Sequence, residues 1–322
     1  MHRKWLLLIL TVACLAPWAR AEAATDLKVV TTTGMIKDLV ANVAGNRVEV
    51  TCIMNEGVDP HMYQPTAADV RKVLAADLVF ANGLHLEGRM TEVFEKSRNI
   101  GKQVVVISDD IPVDRLLESA EYPGQHDPHV WHDVNTWATG IPVVVEALVK
   151  IDPAGEAYYK ANARIYAERL AALDGYVTWV MGTVPRNQRV LITAHDAFSY
   201  FGKAYAVKVR GVQGITTESE AGINDINQLV DFIVEHRISA VFIESSVSER
   251  NVQALIEGAS SRGQEVKVGG ILYSDSMGAT GTWEGTYEGM IEHNVNVISS
   301  SLGGSVPEGG FRGARNLANE GT

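Results

Sequence analysis

The sequence predicts an α/β fold of two lobes, each with a parallel sheet flanked by helices, joined by one long backbone helix. Three observations carry this. Short β-rich runs alternate with helical periods from residue 27, the same alternation resumes after residue 185, and one helical pattern fills the stretch between them. The chain has 322 residues, 46% hydrophobic and 21% charged, enough to bury a large core and more than one domain usually needs.

Residues 1–21 are set apart from the fold. His2, Arg3 and Lys4 form a basic start, Trp5 to Leu15 is almost continuously apolar, and Ala19-Arg20-Ala21 has the small-x-small form of a signal peptidase site. A signal peptide over 1–21 and a mature chain from Glu22 are expected. The apolar run falls short of the ~20 residues of a membrane-spanning helix. A lipid anchor on Cys14 is the less favoured alternative, because Thr11 stands where a lipobox usually has Leu. Cleavage removes three cations and no acid from a net charge of −11, leaving −14. With no run of five basic residues, nucleic acid is not an expected partner. Cys52 is then the only thiol, excluding an internal disulfide, and its alternating surroundings (Val48 to Ile53) suit a buried, inert side chain.

The first lobe, 22–151, opens with a strand at Leu27 to Thr32. Met35, Ile36, Leu39, Val40 and Val43 have helical spacing, stopped by Gly45-Asn46, before a strand at Val48 to Ile53. Thr66 and Asp69 form a capping box that starts a helix through Val73 and Leu74. Strands follow at Leu78 to Ala81 and Val104 to Ile107.

The linking helix, 152–184, begins with Asp152 as N-cap and Pro153 at the first helical position, and stops at Pro185. Tyr159, Tyr166, Leu170, Leu173, Val177, Val180 and Val184 share one stripe, and about 30 residues give a rod of roughly 45 Å. A break near Gly175 is the alternative. The second lobe, 185–302, has expected strands at Val190 to Thr193, Ala206 to Val209, Ala240 to Ile243 and Val266 to Leu272, with helices near 224–236, 248–262 and 286–302. The Gly-rich tail, 303–322, is expected to be disordered.

Among nine histidines, His2 leaves with the leader, and His236 and His293 sit in helical patterns where solvent-facing positions are the default. Asp59-Pro60-His61 and Asp127-Pro128-His129 repeat one tripeptide in two loops, the proline fixing the backbone that presents each imidazole. His195 follows one expected strand and Asp275 another, and in open parallel sheets ligands bind outside the carboxyl ends of strands. Two residues from each lobe are thus placed to converge in the cleft. Taken singly, each histidine reads as a loop residue bonded to backbone, and neither Cys-x-x-Cys nor His-Glu-x-x-His is present.

Seven segments resemble one family in order and placement. They are Gly57-Val-Asp-Pro-His61-Met-Tyr-Gln-Pro-Thr66, Asn82-Gly-Leu-His-Leu-Glu-Gly88, Asp127-Pro-His-Val-Trp131, Thr193-Ala-His-Asp-Ala-Phe198, Thr217-Glu-Ser-Glu-Ala-Gly222, Glu244-Ser-Ser-Val-Ser248 and Leu272-Tyr-Ser-Asp-Ser-Met-Gly278. They are similar to the zinc/manganese substrate-binding proteins of bacterial ABC transporters. The resemblance implies a periplasmic binding protein, not an enzyme, acting as a monomer and delivering Zn²⁺ or Mn²⁺ to a membrane permease. Carried over residue by residue, it implies metal ligands His61, His129, His195 and Asp275. Three nitrogens and a carboxylate without thiolate suit these ions and not Cu(I). The His-rich loop of zinc-specialised relatives is missing, since Glu118 to Asp127 holds only His126.

Lesser roles go to the remaining candidates. His85 is read as structural or as supporting the site, His126 and His132 as solvated with a spare ligand as the alternative, and Glu244 as an acceptor for a ligand imidazole. Glu218 and Glu220 read as a loop capping a helix. A metallohydrolase with the same ligand set and a surface adhesin are the alternative functions.

Overall fold

The computed structural model describes residues 25–119 and 121–313. The expected leader, with Cys14, lies outside the described residues, as do 314–322.

The first lobe holds β1 (Lys28–Thr31), α1 (Gly34–Ala44), β2 (Glu49–Cys52), α2 (Ala67–Ala75), β3 (Leu78–Ala81), α3 (Thr91–Asn99) and β4 (Gln103–Val106). Its four strands are all parallel, in the order β2-β1-β3-β4. Gly45 ends α1 at a positive φ, where a Cβ would strike Tyr158, so the predicted stop is also sterically required. The Thr66–Asp69 capping box is present, and Tyr63 donates to the same carboxylate.

Two helices, α4 (Val134–Ala138) and α5 (Gly140–Ile151), lead to α6 (Glu156–Thr183), which runs unbroken through Gly175. Its 28 residues span about 42 Å. The predicted stripe is its buried face, from Tyr159 to Val180.

The second lobe holds β5 (Val190–His195), α7 (Ser199–Tyr205), β6 (Lys208–Gln213), α8 (Ile223–Glu235), β7 (Ala240–Glu244), α9 (Arg250–Ser261), β8 (Lys267–Leu272) and α10 (Tyr287–Ser301). Its parallel pairs β5-β6 and β7-β8 meet along β5 and β7. The strand expected at Ala206 begins later, because α7 occupies the preceding residues and Ala206 closes it in a left-handed conformation.

Strand alternation decides how the layers pack. Val29, Leu78 and Phe80 face one core while Val30, Val79 and Ala81 face a separate outer one. In the second lobe, Leu191, Ala240 and Phe242 face the same inner core, while Ile192, Ala194 and Val241 face an outer cluster. That shared inner core contains the buried face of α6 together with Trp131, Trp137, Tyr200 and Tyr287. The lobes are therefore joined by continuous apolar packing as well as by one helix.

The expectation of a disordered tail is corrected over 303–313. Gly309 and Gly310, both at positive φ, turn the chain so that Phe311 is 3% exposed, with its ring 5.5 Å from that of Tyr176. The Phe311 N–H donates to Glu292 at 2.6 Å. One aromatic anchor and one charged acceptor order a segment whose composition carries no periodic signal.

Candidate metal centre

His61, His195 and Asp275 sit beyond, or at, the carboxyl ends of strands, whereas His129 lies in the long segment between β4 and α4. His61 lies in the loop after β2, where Asp59 Oδ1 accepts the His61 N–H at 2.9 Å and holds the turn. In the second tripeptide, Asp127 Oδ1 accepts the His129 N–H at 2.9 Å and faces its Nδ1 at 2.7 Å. His195 is the last residue of β5, which runs two residues beyond the expected end at Thr193. Glu244, the last residue of β7, accepts the His195 N–H at 2.9 Å and faces its Nδ1 at 2.6 Å. Asp275 stands three residues beyond β8.

The structure brings these four side chains together. One ligand atom from each lies within 4.8 Å of every other, and all four residues are buried. The Nε2 atoms of His61 and His195 are 3.2 and 3.4 Å from that of His129. Asp275 oxygens lie 3.7, 3.4 and 3.2 Å from the Nε2 atoms of His61, His129 and His195. A tetrahedron with metal bonds of 2.0–2.1 Å has edges of about 3.3 Å, so these spacings fit a four-coordinate divalent ion.

The hydrogen bonding points the same way. With Nδ1 of His129 and His195 facing carboxylates, both Nε2 atoms are turned inward, where the neutral rings present lone pairs to an ion. Neither Asp275 oxygen has a hydrogen-bond partner among the described residues, although both are buried. A buried carboxylate ringed by three imidazole nitrogens is costly unless positive charge, a proton or a metal ion, lies among them.

Electrostatics follow from burial and neighbours. Burial pushes the His61 imidazole down to about 3, although Asp275 works against it. Burial disfavours charge on His195 as well, but Glu244 and Asp275 on its two sides outweigh it and hold its pKa well above the ordinary value. For Asp275 burial acts upward and the three imidazoles prevail, keeping it ionised.

The remaining candidates separate. Glu244 does accept from a site imidazole. His85 is exposed, in a left-handed conformation, and is not among the four. His126 is half-buried and pairs with Glu118 in an isolated antiparallel bridge. His132, expected in solvent, is 1% exposed: the short turn Val130–His132 lays its ring against Phe198, with centroids 4.3 Å apart. Neither of its ring nitrogens has a hydrogen-bond partner among the described residues, and burial pushes its pKa down to about 3. Glu218 pairs with Arg89 at 3.6 Å and Glu220 accepts from Asn251 at 3.3 Å, both away from the cluster. His236 is exposed at the end of α8, whereas His293 is half-buried and bonds the Ile271 carbonyl. Cys52 is buried, with its thiol pushed up by that burial.

Sequence reasoning missed the part played by Asp127. The available signal was an Asp two residues before each repeated His, the spacing that lets one carboxylate reach both backbone and ring. It also missed how His129 is held: Trp131 Nε1 donates to the Ser274 carbonyl at 2.9 Å, tying the His129 segment to the chain just before Asp275.

Comparison with known proteins gives a consistent picture. Residues 29–301 match the family described as zinc-uptake complex component A, periplasmic. The chain is 43% identical over 286 residues to the manganese-binding lipoprotein MntA of Bacillus subtilis, covering 88% of this chain and 92% of that protein. It is 45% identical over 283 residues to the zinc-binding protein TroA of Treponema pallidum, covering 87% and 91% respectively. The solved structure of the periplasmic zinc-binding protein TroA superposes with a TM-score of 0.83 at 44% identity, covering 86% of this chain and 99% of that one.

Proposed function

This chain belongs to the zinc-uptake component A family of metal-binding proteins, and on that premise we propose that it captures a Zn²⁺ or Mn²⁺ ion and hands it to an ABC permease in the membrane. The ion is its cargo, and His61, His129, His195 and Asp275 are the ligands we assign to it. Residues 22–151 and 185–302 are the two lobes that close on it, with 152–184 as the connecting segment. The observation that carries the reading is the convergence of three imidazole Nε2 atoms on a buried carboxylate, at spacings suited to four-coordinate binding.

The nitrogen-rich set without thiolate supports these borderline divalent ions. It also supports carriage over catalysis. Four protein ligands complete a tetrahedral shell, whereas a hydrolytic metal keeps a position for water. The relatives named above include one named for manganese and one for zinc, in keeping with a donor set that accepts either.

The protein is exported. We infer that it is released by cleavage before Glu22 and works as a soluble monomer. Mass spectrometry of the mature N-terminus tests the first point, and diacylglycerol on Cys14 would establish the anchored form borne by the name of the Bacillus subtilis relative.

Metal analysis of protein purified from its native compartment, followed by Zn²⁺ and Mn²⁺ competition titrations, tests the function. One bound ion per chain is expected. Absence of binding to either ion, or turnover of ester, amide or phosphoester substrates above free metal, overturns it.

A further inference from the structure

The two Asp-Pro-His tripeptides begin alike and end differently. In both, the Asp Oδ1 accepts the backbone N–H of its histidine at 2.9 Å. Asp127 also spends that carboxylate on the His129 ring, at 2.7 Å from Nδ1. Asp59 does not reach the His61 ring. Its Oδ2 instead accepts from Thr217 Oγ1 at 2.5 Å, across the cleft, in the loop between β6 and α8 of the other lobe.

The two ligand loops of the first lobe are therefore fastened to the second lobe in different ways. The His129 segment is held by buried bonds: Trp131 to the Ser274 carbonyl, Tyr287 to the Trp131 carbonyl and Tyr200 to the Asp127 carbonyl. The His61 loop is held at the rim. Glu56 accepts from the N–H and hydroxyl of Thr280, the Gly57 N–H donates to Ser276, and Asp59 accepts from Thr217. Only Asp59 among these rim residues is also bonded to the backbone of a candidate ligand.

We propose that Asp59 and Thr217 form the latch that keeps the cleft closed over the ion, Asp59 being the positioning residue that transmits closure to His61. This rests on the metal-carrier reading above. All four candidate ligands are buried, so the ion leaves only after a rim contact opens. A hydroxyl held by a carboxylate is a strong local bond, whose loss acts on the opening step. Release requires this contact to open, so its loss is read in the dissociation step.

The test is stopped-flow release of Zn²⁺ and of Mn²⁺ to excess chelator from the wild-type protein and from Thr217→Val, Thr217→Ala, Thr217→Ser and His61→Ala. Thr217→Val and Thr217→Ala are expected to release metal about tenfold faster. Thr217→Ser, which keeps the hydroxyl, is expected to behave as wild type. His61→Ala marks the loss of a ligand by a fall in equilibrium occupancy. Wild-type release rates in Thr217→Val and Thr217→Ala overturn the latch, and so does equal acceleration in Thr217→Ser, which would make the effect one of packing. If wild type binds neither ion, the carrier reading itself fails, an outcome distinct from both.

Discussion

Glu244 grips His195 at two points, accepting its backbone N–H at 2.9 Å and facing its Nδ1 at 2.6 Å. The two residues end strands β7 and β5, which lie side by side, so the packing of the two strand pairs sets their separation. One carboxylate thereby fixes the ring's orientation and its tautomer and leaves Nε2 for a ligand.

Glu244→Gln and Asp127→Asn should each weaken metal binding by about ten- to a hundredfold, because a neutral amide no longer selects the required tautomer or raises the basicity of the ring. Isothermal titration with Zn²⁺ and Mn²⁺ reads this. Unchanged affinity in both variants would show that the carboxylates only support the fold.

Alanine at His61, His129, His195 or Asp275 should lower affinity by at least one to two orders of magnitude, since each leaves the ion under-coordinated. Alanine at His132 should do far less, because His132 is outside the four-residue cluster. A loss at His132 equal to that at His129 would reassign the ligand within the Asp-Pro-His-Val-Trp-His segment.

His132 also yields a stability prediction. A buried imidazole with neither nitrogen bonded costs on the order of 1–3 kcal/mol relative to an apolar group of similar shape. His132→Phe, stacked against Phe198, should therefore melt at the same temperature as wild type or higher, with metal affinity retained. A fall of several degrees would mean that the imidazole is bonded in solution.

Metal binding should weaken with acid. A ligand imidazole must be neutral, and the carboxylates beside His195 keep it protonated well above the ordinary histidine range in the metal-free protein. Binding at neutral pH then releases a proton, and affinity at about pH 5.5 should be at least tenfold below that at about pH 7.5. His61, held near 3 by burial, is neutral at both values and contributes little to the difference. Equal affinities, or no buffer-dependent proton release in calorimetry, would remove His195 from the site.

Asp152 anchors the start of α6. It accepts from Arg47 at 2.5 and 3.1 Å and from Tyr159 at 2.6 Å, and the Arg47 bond in particular lowers its pKa below the ordinary carboxylate value. A depressed folded-state pKa gives stability that is present above about pH 4 and is lost as pH falls through the folded value. Asp152→Asn should melt lower than wild type at pH 7, and the two melting curves should converge as the pH approaches 3. A constant gap across that range would show that the charge on Asp152 is not the source.

By itself the sequence determined the eight strands and helices α1, α2, α6, α8, α9 and α10 but not α3, α4, α5 or α7, and it marked the buried stripe of α6, the capping box at Thr66 and the candidates His61, His195 and Asp275 after strands. Those features are local: periodicity states which face of an element is apolar, and turn residues state where it stops. Only the tertiary structure decided which faces meet. It joined both lobes in one core through Trp131, Tyr200 and Tyr287, buried His132 against Phe198, and folded Phe311 back onto Tyr176. It also gave two identical tripeptides different tasks, sending Asp127 to its own histidine and Asp59 across the cleft to Thr217. The physical reason is that a carboxylate satisfies whichever donor the fold brings within reach. Thr217 lies 158 positions from Asp59 along the chain, where no local pattern specifies the pairing.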